Sequence, residues 1–354
     1  MRRLFMTLCM AVAGGLVFSM LPIPLPWTLG PIVAVSLAAL KTGKRVYWPI
    51  KIRDTALILL GYAMGRPFTI ETGQAIMSQL PIMLCATLLT VTAGILTGYI
   101  TYKRTGINLT SCLLGCVPGG LSQMVILAAE MKDTDATAVT IMQTVRMLSV
   151  VFVVPFLTMH IVAPSNAGGT MVSQVLLAPD TTTIMIFAIV AIVGAVVGKL
   201  IHLPTATLLG PILSTGGYIL MTGNVAPLVP DVYLDVAQIC VGTYIGSSIN
   251  LAKVRQYHSM GGSLFGGVGF VLCVSLCMGY VVAEITGAAF ATAFLSTAPG
   301  GLAEMGITAL SVGADISTMT AYQLVRLLFI MLVFPYIAKG IVMLHERKKR
   351  QISS

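Results

Sequence analysis

A Pro-Gly-Gly break interrupts an apolar stretch of this chain twice, and each break is followed by a glutamine and an arginine in the next apolar stretch. The two copies consist of Pro118, Gly119, Gly120, Gln143 and Arg146, and of Pro299, Gly300, Gly301, Gln323 and Arg326. Proline lacks a backbone donor and glycine permits conformations that other residues avoid, so a helix should break at each site. Inside a membrane, the backbone groups freed by such a break need partners from protein, water or ligand.

The composition places the chain among integral membrane proteins. Of its 354 residues, 56% are hydrophobic and 9% are charged, and the mean hydropathy is +0.94. Soluble domains are about half apolar and a quarter charged. Stretches such as 80–102 and 263–282 are long enough to cross a hydrocarbon core, which needs about 20 apolar residues as helix. The lipid bilayer is therefore the expected surrounding of this chain.

The net charge of +9 does not indicate a nucleic-acid partner. Lysine and arginine lie mainly in short loops between apolar runs, for example at 41–53. That pattern orients helices in a membrane, so we interpret it as topology. The seven cysteines lie in apolar runs at helical spacing, which favours small hydrophobic side chains over disulfides or metal ligands.

The two halves of the chain align over nearly their whole length. Residues 24–32 correspond to 204–212 at an offset of 180, and Asp54 corresponds to Asp235 at an offset of 181. This internal repeat predicts a first transmembrane repeat at 1–165, a linker at 166–181, a second repeat at 182–343 and a basic cytoplasmic tail at 344–354.

Each half contains six apolar segments, of which the second and third are short for a crossing. They lie at 4–21, 27–40, 54–66, 80–102, 108–131 and 136–160, and at 182–200, 205–222, 233–250, 263–284, 288–312 and 316–343. If all six cross, Lys253 and Arg255 fall outside and the Lys/Arg-free stretch from 161 to 181 falls inside, against the positive-inside rule.

The charges fit if each Pro-Gly-Gly segment is a broken or re-entrant hairpin that enters and leaves on one side. Each half then crosses five times, and the second half is inverted. The predicted fold is an all-α integral membrane protein with two inverted repeats, about ten crossings and both termini in the cytoplasm. Many secondary transporters have this architecture, with a site at the midplane where broken helices meet.

The Pro-Gly-Gly turns are candidate binding sites. Leu121 and Leu302 should begin new helical segments, which places helix N-termini at both tips. Such N-termini bind carboxylate or phosphate groups through free N–H groups and the helix dipole. The alternative is a structural hairpin packed against its neighbours.

Arg146 and Arg326 should lie near the middle of the membrane. Each is eleven residues beyond an aspartate, Asp135 or Asp315, that is expected to cap its helix. Eleven residues of helix span about 16 Å, against a core about 30 Å thick. Each arginine, with the glutamine three positions before it, could grip a planar anionic group. Alternatively, each arginine satisfies loose carbonyls at the end of the hairpin.

Three further acidic residues have predicted roles. Glu304, whose counterpart in the first half is Gln123, could carry a coupling proton or bind a cation, or could pair with Arg326. Asp54 and Asp235 open the third segments and are interpreted as helix caps. No phosphate-binding loop, dinucleotide fingerprint or His/Cys cluster is present, so no catalytic residue, metal or cofactor is expected and the chain is not predicted to be an enzyme.

The doubled Pro-Gly-Gly, the Gln-x-x-Arg on the last helix and the doubled Leu-Gly-Pro-Ile resemble the bacterial AbrB family of membrane proteins, also called the AbrB duplication family. The resemblance covers essentially the whole chain. It implies a bacterial inner-membrane location and an association with the regulation of gene expression. The family also carries an ammonia monooxygenase label, which implies copper, but the sequence has no clustered copper ligands. A soluble DNA-binding regulator shares the name and is unrelated.

The favoured function is a secondary transporter or exporter of a small, anionic organic solute. The arrangement is similar to that of elevator-type carriers of organic anions, which makes a homodimer plausible. The alternative is a membrane-embedded sensor or regulator that affects gene expression without transport.

Overall fold

The computed structural model describes residues 2–21, 23–42, 46–120, 124, 125, 127, 128, 131, 134–162, 181–249 and 261–353. These residues form helices joined by short loops, and no strand occurs among them. The helices are α1 Arg2–Ser19, α2 Pro26–Thr42, α3 Ile50–Gly65, α4 Ile70–Thr105, α5 Leu109–Cys116, α6 Ala136–Leu157, α7 Thr181–Leu200, α8 Ala206–Thr222, α9 Asp231–Ser248, α10 Gly261–Thr286, α11 Phe290–Thr297, α12 Leu302–Val312, α13 Ile316–Leu332 and α14 Phe334–Ser353.

Four of the described helices are long and apolar enough to cross a membrane, namely α4, α6, α7 and α10. Helices α13 and α14 pass the same test as a pair bent by 46°, which raises the number to five. Pro335 lies at the start of α14, where a proline ends the preceding helix readily. The predicted single segment at 316–343 is therefore two helices. Helix α14 continues to Ser353, and the boundary of the tail predicted at 344–354 remains a prediction.

The described residues belong to two compact units, and each unit draws on both halves of the sequence. Unit 1 comprises Met1–Ser78, Pro155–Leu251 and Ala303–Met319, and unit 2 comprises Gln79–Val154, Ala252–Leu302 and Thr320–Ser354. The repeat boundaries at 165 and 182 remain a prediction, and most of the linker at 166–181 lies outside the described residues, as do Lys253 and Arg255.

In unit 1, glycines bring neighbouring helices into backbone contact at equivalent places in the two halves. A β-carbon added to Gly30 would lie 2.3 Å from the carbonyl oxygen of Gly14, between α1 and α2. A β-carbon added to Gly210 would lie 2.2 Å from the carbonyl oxygen of Gly194, between α7 and α8. The two glycine pairs are 180 residues apart, so the helix pair that begins each half packs in the same way.

The third helix of each half packs against the second helix of the other half. A β-carbon added to Gly61 of α3 would meet the carbonyl oxygen of Leu208 in α8 at 2.5 Å. A β-carbon added to Gly242 of α9 would meet the carbonyl oxygen of Thr28 in α2 at the same distance, 2.5 Å. Such an exchange, in which each copy contacts the other through the same patch, is what a twofold axis produces.

Asp54 and Asp235 are not helix caps, and this prediction was wrong. Helix α3 begins at Ile50 after Pro49, and α9 begins at Asp231 after Pro230, because the extended backbone of each proline ends the preceding loop. Both aspartates therefore lie a full turn inside their helices. Asp54 instead pairs with Arg53 at 2.6 Å and with Lys199 at 3.6 Å.

Asp135 and Asp315 do cap their helices, as predicted. The carboxylate of Asp135 accepts hydrogen bonds from the backbone N–H groups of Thr137 at 2.8 Å and Ala138 at 3.1 Å. The carboxylate of Asp315 accepts from those of Ser317 at 2.9 Å and Thr318 at 3.3 Å. These caps fix where α6 and α13 begin, and so fix the positions of the arginines further along.

In unit 2, each broken helix packs closely on a long helix through a glycine. A β-carbon added to Gly98 of α4 would lie 2.9 Å from the carbonyl oxygen of Cys112 in α5. A β-carbon added to Gly279 of α10 would lie 2.8 Å from the α-carbon of Phe294 in α11. Both short helices are buried almost throughout, so the breaks that end them lie in the interior of the unit.

Candidate functional site

Both Pro-Gly-Gly breaks form the same tight turn. Helix α5 ends at Cys116, and the N–H of Gly119 then donates to the carbonyl oxygen of Val117 at 2.8 Å. Helix α11 ends at Thr297, and the N–H of Gly300 donates to the carbonyl oxygen of Ala298 at 2.9 Å. Each is a three-residue turn with proline at its centre. The turns leave the last carbonyl groups of α5 and α11 in need of other donors.

Gln143 supplies a donor at the first break. Its side chain is fully buried, and its Nε2 donates to the carbonyl oxygens of Leu114 at 2.7 Å and Val117 at 3.0 Å. Gln323 has the same role at the second break, where its Nε2 donates to Leu295 at 2.8 Å and Ala298 at 3.2 Å. The N–H groups of both glutamine amides thus bind carbonyl oxygens of the protein itself.

Arg146 lies one turn further along α6 and binds the turn itself. Its Nη1 donates to the carbonyl oxygen of Val117 at 2.9 Å, and its Nη2 donates to that of Gly119 at 3.0 Å. Hydrogen bonds from a charged donor are worth roughly 1.5–3 kcal/mol, about twice a neutral bond. The guanidinium therefore clamps the first break.

Arg326 clamps the second break in the same way and makes more contacts. Its Nη1 donates to the carbonyl oxygens of Ala298 and of Thr297, and its Nη2 donates to that of Gly300 at 2.8 Å. Its Nη2 also donates to Oε1 of Gln323. The side chain is only 5% exposed. Of the two interpretations left open by the sequence, these contacts are those of an arginine that satisfies loose carbonyls; a role in substrate binding remains a prediction.

Neither guanidinium has a carboxylate partner in the described part of unit 2. The ion pairs found among the described residues join Asp54 to Arg53 and to Lys199 in unit 1. Carbonyl dipoles solvate a cation but do not cancel its charge. Among the described residues, the two positive charges on α6 and α13 are thus not neutralised by an ion pair within the unit, and an unneutralised charge is expensive in an apolar interior.

Spare hydrogen-bonding capacity occurs at the first break. Oε1 of Gln143 and Nε of Arg146 are buried and have no hydrogen-bond partner among the described residues. Arg146 also lines a cavity of about 20 Å³, with Thr97, Cys116, Met142 and Pro299 among the other lining residues. This volume is enough for one water molecule. Thr97 and Met142 belong to no repeated motif, so no pattern in the sequence marks them as site residues.

Glu304 lies in the first turn of α12, which begins at Leu302 as predicted. By chain position it belongs to unit 1, whereas the two arginines belong to unit 2. Its coupling role and its pairing with Arg326 both remain predictions. Leu121 and Gln123, the corresponding positions in the first half, lie outside the described residues.

The described residues form an all-helical protein with four or five helices long and apolar enough to cross a membrane, which fits the class of membrane proteins. A sequence profile of the AbrB family, described as "Transition state regulatory protein AbrB", matches residues 27–341, and the chain belongs to this family. The family resemblance drawn from the repeated motifs is therefore confirmed.

Two relatives align over nearly their whole length. "Uncharacterized protein YhjN" of Bacillus subtilis (strain 168) is 28% identical over 381 residues, covering 98% of this chain and 95% of the relative. "Putative regulator AbrB" of Escherichia coli (strain K12) is 26% identical over 324 residues, covering 90% of both chains.

Proposed function

We propose that this protein is a secondary transporter or exporter of a small, anionic organic solute. The observation that carries the proposal is the pair of guanidinium groups, buried at Arg326 and half-buried at Arg146, which are held by carbonyls and lack a carboxylate partner in the described part of unit 2. An anion that enters this region would neutralise charge that the protein leaves unbalanced. A carrier of anions needs an unneutralised positive charge at its binding site, whereas a purely structural clamp does not.

The breaks provide the groups that an anion needs. Arg146 and Arg326 supply charge, and Gln143 and Gln323 orient the guanidinium groups through the carbonyls that they share. At the second break, the backbone N–H group of Leu302, where α12 begins, supplies a further donor at a helix N-terminus. The unpaired Nε of Arg146 is the donor that most directly lacks a partner. The proposed carrier involves no catalytic residue.

The topology is part of the proposal. Two inverted repeats with ten crossings, both termini in the cytoplasm and a bacterial inner-membrane location agree with the positions of lysine and arginine. The reciprocal glycine contacts in unit 1 support a twofold relation between the halves. A homodimer would give such a carrier a fixed scaffold.

This topology is tested in a cysteine-free protein with a single cysteine placed at Ser165 or at Ser259. An impermeant maleimide is then applied to intact cells. Labelling of the first from outside and of the second only from inside supports the inverted repeat. The opposite result means parallel halves and removes the midplane site.

Transport is tested in proteoliposomes with radiolabelled acetate, succinate, citrate and inorganic phosphate, by counterflow and by uptake under imposed proton or sodium gradients. Arg146→Gln and Arg326→Gln should each abolish uptake of the transported anion while the protein still inserts. Lys103→Gln, at the end of α4, is the matched loss of a positive charge and should leave uptake unchanged. Unchanged uptake in both arginine variants would remove the arginines from the site.

Glu304 is the proposed coupling residue, because a carboxylate beside a broken helix can carry a proton or help to bind a cation. Glu304→Gln should uncouple accumulation from the gradient and leave counterflow intact. Loss of both activities would instead indicate a structural role.

A second candidate function is a membrane-embedded regulator of gene expression. The name of the Escherichia coli relative, which calls that protein a regulator, favours it. In that case a deletion strain should show altered transcript levels that a transport-dead Arg146→Gln variant restores. Restoration only by transport-competent protein would make any regulation a consequence of transport.

A further inference from the structure

Arg66 is a basic residue that the topology argument does not explain. It follows α3 directly, at the end that the proposed topology places outside, whereas the loop lysines and arginines at 41–53 and 103–104 are placed inside. A positively charged residue on the outer side runs against the positive-inside rule. Its presence there calls for a reason other than orientation.

One nitrogen of Arg66 holds it in place. Its Nε donates to the carbonyl oxygen of Ala226 at 3.2 Å, and the nearby Tyr62 hydroxyl donates to the carbonyl oxygen of Pro227 at 2.7 Å. Both contacts tie the end of α3 to the loop that follows α8. The two terminal amino groups of Arg66 donate to no residue in the described ranges. The fork of the guanidinium is therefore fixed in position and still free to bind.

Arg66 faces a pocket of suitable size, which lies entirely within unit 1. The pocket has a volume of about 590 Å³, and its lining includes Arg66, Phe68, Thr69, Asn224 and Ile316. Ligand sites for small molecules occupy roughly 300–1,000 Å³ and combine an apolar lining with a few polar groups. No carboxylate side chain occurs among the lining residues.

The fold itself does not require an arginine at this position. The third segments of the two halves align at an offset of 181, so the counterpart of Arg66 is Ser247. The Ser247 hydroxyl donates to the carbonyl oxygen of Tyr244 within its own helix, at 2.8 Å. The same helix end is thus built without a guanidinium in the second half, and the arginine is specific to the first.

We propose that the pocket at Arg66 binds a carboxylate group of a small organic anion on the outer side of the membrane. The two free amino groups of the guanidinium would hold the carboxylate in the bidentate geometry that arginine favours, and Asn224 would supply amide contacts. The assignment to the outer side and to the transported solute rests on the proposed function. The binding itself does not.

Binding is measured with purified protein in detergent, by the shift in thermal unfolding midpoint on titration with acetate, succinate, citrate and inorganic phosphate. At least one carboxylate should stabilise the wild-type protein, and Arg66→Gln should raise its apparent dissociation constant at least about tenfold, or about 1.4 kcal/mol. Lys103→Gln should leave the constant unchanged. The proposal is overturned if no carboxylate binds, if phosphate binds as tightly, or if Arg66→Gln binds equally well.

Asn224→Asp tests the same pocket without disturbing the contact between Arg66 and Ala226. The new carboxylate should compete for the guanidinium and weaken binding by a similar factor, whereas Asn224→Gln should change it little. Equal binding by both variants would contradict the proposal, and this arm remains informative if Arg66→Gln does not fold.

The failure of this inference and that of the proposed function are distinguishable. Carboxylate binding that depends on Arg66, in a protein that transports none of the tested anions, retains the pocket and rejects the carrier. Transport that depends on Arg146, in a protein whose carboxylate binding does not depend on Arg66, rejects the pocket and retains the carrier. A cysteine at Asn224 that an impermeant maleimide labels only from inside would overturn the outer assignment.

Discussion

The two helix breaks of unit 2 have the same sequence motif and the same turn, but their hydrogen bonds differ. At the second break, Arg326 donates to three carbonyl oxygens and to Oε1 of Gln323, and its side chain is almost fully buried. At the first break, Arg146 donates to two carbonyl oxygens and is partly exposed. The second break is the more completely satisfied of the two.

Among the glutamine and arginine side chains of the two breaks, the buried groups without a partner lie at the first; Ser275 and Thr320, elsewhere in unit 2, also have buried hydroxyls without a partner among the described residues. Nε of Arg146 and Oε1 of Gln143 lack partners among the described residues, and a cavity of about 20 Å³ adjoins the arginine. Buried polar groups are normally paired, so unpaired ones call for an explanation. We infer that duplication produced two similar clamps, of which the second is specialised for structure and the first keeps capacity for a ligand or water.

The largest expected effect separates the two arginines by stability. Arg326→Gln should lower the free energy of unfolding by about 6 kcal/mol and Arg146→Gln by about 3 kcal/mol, because the first change removes four charge-assisted hydrogen bonds and the second removes two. Denaturation of the purified proteins in detergent, followed by circular dichroism, measures the difference.

Uptake should not follow the ranking by stability, because both arginine substitutions are expected to abolish it. A variant of Arg146 that keeps near-wild-type stability and loses transport would sharpen the contrast between the breaks. Equal losses of stability in the two variants would erase it.

Most of this asymmetry could not be predicted from the sequence. The Pro-Gly-Gly and Gln-x-x-Arg motifs correctly indicated broken helices with an arginine near them, because proline and glycine act locally. The aspartate caps at 135 and 315 were also predicted, because a helix cap is likewise a local feature of the sequence. Asp54 and Asp235 were misassigned because the prolines before them start the helices earlier. Which carbonyl each donor binds depends on tertiary packing, and no local pattern encodes it.

Substitution of the two glutamines should show the same contrast between the breaks, with a smaller difference in stability. Gln323→Leu removes donors to Leu295 and Ala298 and also the acceptor for Arg326, so it should cost about 3 kcal/mol. Gln143→Leu removes donors to two carbonyls while its Oε1 has no partner to lose, and should cost about 2 kcal/mol. Thermal unfolding midpoints of the two variants give the comparison. A larger loss for Gln143→Leu would mean that its Oε1 has a partner, such as a bound water.

Gly115 tests the cavity beside the first break. A β-carbon there would lie 2.3 Å from Sδ and 2.8 Å from Cβ of Met142, so Gly115→Ala should displace that side chain and cost about 1–2 kcal/mol. The counterpart in the second half, Ser296, already carries a side chain, whose hydroxyl donates to its own helix at 2.7 Å. Ser296→Ala is therefore the matched control and should cost less than about 1 kcal/mol. If Gly115→Ala is neutral in thermal unfolding, the cavity is loose enough to accept a methyl group and does not define a site.

The smallest expected effect concerns the two helix caps, which set the baseline for the comparison. Asp135 accepts two backbone hydrogen bonds, whereas Asp315 accepts two and also the Thr318 hydroxyl at 2.6 Å. Substitution by alanine should cost about 1 kcal/mol at Asp135 and a few tenths more at Asp315. Asn variants, which keep an acceptor, should recover most of each loss in thermal unfolding. Both caps follow the breaks in sequence and bind the first turns of α6 and α13, so their difference measures how far two diverged copies drift without a functional cause. If the caps differed by as much as the arginines, the contrast between the breaks would reflect that drift, and the case for a ligand at the first break would lose its main support.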